Sequence, residues 1–166
     1  MRKLLFACAL APAALAAGCG DGIDITGMYA MTASQSDGAG CGPGTAQTTP
    51  AFFQVVKQEL LGVPLFSFKT CTSADPSTCT LGFGLLSEPI ANGWKGELSI
   101  ASGDAASCSL GYTVETAVVM ARSLRYERHV YSENNVQGTQ CKSQDATSRG
   151  TSMPCTGYVL LVGDRL

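Results

Sequence analysis

Charge and imidazole are both scarce in this chain. Only 14% of the residues are Asp, Glu, Lys or Arg, and there is a single histidine, His129. Eleven basic residues against thirteen acidic ones leave no positive excess, which argues against a nucleic-acid partner. No G-x-S-x-G elbow, H-E-x-x-H helix or comparable catalytic signature occurs. The cysteines include no C-x₂-C pair, the local signature of most zinc sites, so no metal ligands and no cofactor are expected from spacing. No stretch reaches the roughly 20 apolar residues that a membrane-spanning helix requires. There is no internal repeat.

What the chain does have begins at its N-terminus. Arg2 and Lys3 precede the apolar run Leu4–Ala11, Pro12 interrupts it, and small residues follow from Ala13 to Gly18. Charge, then apolar run, then small residues is the order of a secretory signal. Two cleavage sites compete. Ala14-Leu15-Ala16 is an A-x-A site that would release a chain beginning at Ala17.

The other site is Leu15-Ala16-Ala17-Gly18-Cys19. It resembles the lipobox of bacterial envelope lipoproteins, with Ala17, Gly18 and Cys19 matching and Ala16 standing where that family prefers leucine. The resemblance implies acylation of Cys19, cleavage before it, and attachment to the membrane through a lipid anchor. Gly20 follows the cysteine, with Asp21 one place later; by the same resemblance this favours the outer membrane. Cysteine parity also favours this site. Cys8 leaves with the signal and Cys19 is lipidated, so Cys41, Cys71, Cys79, Cys108, Cys141 and Cys155 remain, an even set that can pair completely. Removing residues 1–18 leaves 148 of the 166 residues, with nine basic against thirteen acidic side chains. That length suits one core and is short for two. The organisation expected is a signal over 1–18, a lipidated tether over 19–26 with little to bury, and one β-rich domain over 27–166.

Within that domain, short runs rich in aromatic and β-branched residues alternate with turn chemistry. Strands are expected at 27–32, 52–57, 65–69, 82–87, 94–101, 110–116, 124–131 and 157–162. The run 52–57 also fits a helix face, but its composition favours strand. Residues 34–50 and the polar stretch 132–154 are expected as loops, and Asn92-Gly93 as a type I′ hairpin turn. About eight short strands at this spacing predict an all-β fold, a single small antiparallel barrel or a sandwich. Gly27-Met28-Tyr29 is similar to the glycine-x-tryptophan that opens the first strand of lipocalins, with tyrosine in place of tryptophan. That resemblance implies an eight-stranded barrel holding an apolar small molecule in its mouth.

The six cysteines read as disulfide staples of an exported chain. The Asp75-Pro76 turn suggests Cys71 with Cys79, the polar stretch suggests Cys141 with Cys155, and Cys41 is left for Cys108. His129 reads as a solvated strand residue sharing a face with Arg125, Glu127 and Tyr131; a catalytic role would need a nucleophile and an orienting group that the sequence does not single out. Arg122 and Arg128 fall on one face of their strand and Arg125 on the other, so they make no single anion site. Asp21 and Asp24 are too few for calcium, and Trp94 reads as a core anchor. The functions compatible with these residues are a non-enzymatic envelope module that contacts another protein, a lipocalin-like carrier of an apolar small molecule, and a hydrolase using His129.

Overall fold

The computed structural model describes residues 22–38, 40–42, 44–47, 51–82 and 84–166. The signal, Cys19 and Asp21 lie outside the described residues. Ten strands form one antiparallel sheet: β1 Gly27–Asp37, β2 Thr45–Ala46, β3 Phe52–Leu60, β4 Val63–Cys71, β5 Cys79–Leu81, β6 Glu88–Ile90, β7 Gly93–Gly103, β8 Cys108–Met120, β9 Ser123–Val136 and β10 Cys155–Arg165. Among the described residues one short α-helix, α1 Ser143–Arg149, precedes β10. Among the described residues no helix is long and apolar enough to cross a membrane.

The strand order is β5-β4-β3-β1-β10-β9-β8-β7-β6, with β2 on the side of β1. The first and last long strands are therefore neighbours, Tyr29 facing Arg165. Near the far ends of this order, β4 meets the segment before β6 at one isolated bridge. Leu86 and Phe66 exchange backbone hydrogen bonds of 2.9 and 3.1 Å, and the next residue, Ser87, donates to the Lys95 carbonyl on β7 at 3.0 Å. A single residue pair thus links β4 to the segment leading into β6.

The sheet encloses a core of Ile25, Tyr29, Phe53, Val55, Phe66, Phe68, Leu86, Trp94, Ala117, Leu124, Tyr126 and Leu161. Its aromatic rings run in contact: Tyr29 stacks on Phe53 at 4.9 Å between centroids, Phe68 lies 4.0 Å from Tyr126, and Phe66 lies 4.6 Å from Trp94. Such pairs add about 0.5–1.5 kcal/mol each beyond the area they bury. A second cluster of Cys108, Leu110, Tyr112, Val136, Ala146 and Met153 lies on the opposite face of β8, under α1. Alternation explains the split, since Cys108, Leu110 and Tyr112 point one way and Glu115 and Ala117 the other.

Several expectations are corrected. The tether does have something to bury: Ile25 is fully buried, and the Trp94 indole donates to the Ile23 carbonyl at 2.7 Å. Residues 34–50 are not all loop, because β1 continues to Asp37 and β2 follows. Among the described residues the expected strand 82–87 keeps only the bridge at Leu86, because Gly84 sits at φ 112°, off the extended backbone; Gly82 passes so close to the Phe68 carbonyl that a side chain there would collide with it. The hairpin turn falls on Ala91-Asn92, with Asn92 at φ 60°. Gly93 is already in β7, where a Cβ would strike the Ala117 carbonyl. The polar stretch 132–154 is not one loop; it holds the end of β9 and α1.

The disulfides are Cys71–Cys79, Cys108–Cys141 and Cys41–Cys155. The first is the pair the intervening turn suggests. The pairings Cys141–Cys155 and Cys41–Cys108 do not form. Cys155 starts β10 and meets the segment after β1, the strand beside β10, while Cys141 closes on the start of β8 and leads into the helix that covers it. Three such bonds are those of an exported protein in an oxidising compartment.

Four tyrosines make the fold sensitive to alkali. Burial, and then the Glu97 carboxylate, push the Tyr112 hydroxyl up to about 12. Burial likewise raises Tyr29, Tyr126 and Tyr158. A raised native pKa stabilises the fold in full below the free-tyrosine value near 10, and that contribution is lost as pH climbs through the native values. An absorbance titration should therefore show most tyrosinate appearing above the free-tyrosine value, together with loss of the β circular dichroism. Ionisation of all five tyrosines at the free value with the sheet intact would contradict this.

Candidate functional site

Where the two ends of the sheet approach each other, they leave a cavity of about 360 Å³. Leu65, Phe68, Leu85 and Leu98 supply apolar lining, Gly82, Gly84 and Gly96 leave it room, and the charged side chains on it are Lys69, Glu97, Glu115 and Arg128. Leu85 and Leu98 are 44% and 43% exposed, so this part of the lining faces solvent. A volume of this size lies within the range of small-molecule pockets, which are mostly apolar with a few placed polar groups.

Glu115 is the polar centre. It projects from β8 toward the first core and is only 6% exposed. One carboxylate oxygen accepts the Leu85 N–H at 2.9 Å, and the other lies 3.4 Å from the Arg128 guanidinium. The adjacent Tyr126 hydroxyl is held protonated, first by burial and then by the Glu115 charge. A buried carboxylate survives only with such partners. Here it also ties the Leu85 backbone to β8, so one side chain fixes part of the cavity wall. Leu85 lies between Gly84 and the bridge residue Leu86, and Gly82 and Gly84 of the same segment line the cavity.

The chain matches no protein-family model, curated protein or solved structure in the comparisons made.

The residues singled out in sequence are dispersed. Arg128 enters the cavity; Arg125 pairs with Glu127 at 2.6 Å on the other face; Arg122 lies in the turn after β8. Asp24 accepts from the Thr26 N–H and hydroxyl at 2.9 and 2.7 Å and lies 3.6 Å from Arg165, so it serves the chain locally. Trp94 is a buried anchor. His129 shares the outer face with Arg125, Glu127 and Tyr131; its ring lies 4.9 Å from Tyr158, and its Nδ1 is buried with no hydrogen-bond partner among the described residues. Glu115 was missed in sequence. It ends a stretch in which apolar and polar residues alternate, and both faces of that strand prove to be covered.

Proposed function

We propose that this chain is an exported envelope protein, anchored through a lipid on Cys19, that carries a small molecule with an apolar body and one polar group. The observation that carries the reading is the solvent-reachable cavity with a paired, buried carboxylate as its polar part. The apolar body would lie against Phe68, Leu65, Leu85 and Leu98. The polar group would meet Glu115 and Arg128; with Lys69 and Glu97 on the same lining, two positive and two negative side chains balance, so a neutral hydroxyl or amide suits the cavity better than an ion. The hairpin that provides Gln58 and Leu65 to the cavity ends in Leu60, Leu61 and Val63, which are 63%, 98% and 49% exposed. This apolar tip also favours the second reading, a module that contacts another envelope protein.

One experiment separates the two. The Cys19→Ala chain, exported without an acyl anchor and purified without detergent, is titrated with the apolar fluorophore aminoanthracene, and dodecanol is used to displace it. The carrier reading expects saturable binding of one probe per chain, with Leu98→Trp weakening it by about tenfold, the scale of one well-made contact in a pocket, while circular dichroism is unchanged. Absence of saturable binding, or equal binding by the Leu98→Trp variant, sinks the carrier and leaves the contact module.

A further inference from the structure

On the sheet face opposite the cavity, three side chains with metal-ligating atoms converge. Cys41 comes from the segment after β1, His129 from the middle of β9, and Cys155 from the start of β10. Their ligand atoms all lie within 4.8 Å of one another. The pairing of β10 with β9, Tyr158 opposite His129 and Cys155 opposite Tyr131, sets two of the three side by side. A second observation points to a ligand. The Nδ1 of His129 is buried and unbonded among the described residues, between Tyr158 and Tyr131. Buried polar atoms in folded proteins are nearly always bonded, and an orphan calls for a partner. Two thiolates and one imidazole form a Cys₂His set suited to zinc, with a fourth position left for water.

In the oxidised chain the two sulfurs are bonded to each other, so the ligand set exists only after that bond opens. Reduction begins with attack on an accessible sulfur. Cys41 and Cys155 are both half-buried, so either sulfur of this pair is open to attack, whereas each of the other two disulfides joins one half-buried cysteine, Cys79 or Cys141, to a buried one, Cys71 or Cys108. We propose that the Cys41–Cys155 disulfide is reducible in the folded chain and that, once reduced, its two sulfurs and His129 bind one zinc ion. This does not depend on the carrier reading. The chemistry balances with a phosphine reductant: the S–S bond breaks, phosphine and water become phosphine oxide, and two thiols form. Zinc then displaces the two thiol protons, and both thiolates and one ring nitrogen donate electron pairs to it. A dithiol reductant would serve equally, becoming a disulfide itself.

The test uses the full-length chain under anaerobic conditions. Phosphine is added until native mass spectrometry shows one opened disulfide, alkylation maps it, and Zn²⁺ is then titrated. The expected result is opening at Cys41 and Cys155, uptake of one zinc, and protection of both thiols from alkylation. His129→Ala should weaken uptake by at least about tenfold, since even outer partners of metal ligands count for that much. Co²⁺ in place of zinc should show thiolate charge-transfer absorption, which in the variant should need about tenfold more cobalt to develop. First opening at another pair, no zinc on the opened pair, or equal uptake by His129→Ala would overturn the proposal. If reduction unfolds the chain, the same comparison is made after refolding with Zn²⁺. Uptake of one zinc that requires His129 supports the site; uptake indifferent to His129, or none, overturns it.

Discussion

Replacing Glu115 with alanine should lower the unfolding free energy by about 3 kcal/mol, several times the effect of an ordinary surface change. Two groups lose their partner at once. The Leu85 N–H, which donates to the carboxylate at 2.9 Å, is left without an acceptor, and the Arg128 guanidinium loses the Glu115 counter-charge 3.4 Å away. Breaking a buried ion pair from one side removes about 3–5 kcal/mol. Arg128 is 30% exposed and recovers part of its hydration, which brings the expected figure to the lower end. Glu115→Gln keeps an acceptor for Leu85 and should lose about half as much. The double change Glu115→Leu with Arg128→Met should recover most of the loss, because apolar groups of similar volume fill such a site without a desolvation penalty. Urea unfolding with an unchanged m-value measures all three. If Glu115→Ala moves the midpoint no further than a surface substitution, the carboxylate is not the element that holds Leu85 against β8.

The strands were legible because their composition and alternation are local. Phe52–Leu60 forms a strand despite its helix-like spacing, since its pleated pairing with Val63–Cys71 lets Phe53 and Val55 reach the same core as Phe66 and Phe68. Helix α1 was not legible: Ser-Gln-Asp-Ala-Thr-Ser-Arg is polar throughout, and Ala146 is its only buried residue. The disulfide map depends on strand order. Sequence cannot show that β10 inserts between β1 and β9, and that neighbourhood is what brings Cys155 to Cys41. The cavity was hidden for a related reason. Along β8, Tyr112 faces the second cluster and Glu115 the first core, so alternation marks two buried faces where a one-sided sheet would show one buried and one wet. The Cys41, His129 and Cys155 group draws on three separate parts of the chain and has no spacing to detect.

The disulfides should differ in their effect on stability in the order of the loops they close. Cys41–Cys155 spans 114 residues and Cys71–Cys79 spans 8. On the chain-entropy account, the paired change Cys41→Ser, Cys155→Ser should lower unfolding free energy by about 4–5 kcal/mol, and Cys71→Ser, Cys79→Ser by about 2–3 kcal/mol. Native-state geometry sharpens the contrast. Cys71 and Cys79 are directly opposite in a strand pair that persists without the bond. Among the described residues, the segment around Cys41 is held to β1 by the two residue pairs of β2, Gln35–Ala46 and Ser36–Thr45, and by the Gln47 N–H, which donates to the Ser34 carbonyl at 2.8 Å. Loss of Cys41–Cys155 should therefore also remove hydrogen-exchange protection from residues 44–47 while leaving β8 and β9 protected. A domain of this size commonly holds about 5–15 kcal/mol, so the chain should remain folded in its absence, as zinc binding by the opened pair requires. Equal losses from the two paired variants would show that the effect lies in native contacts, because the unfolded-chain argument allows no equality between loops of such different length.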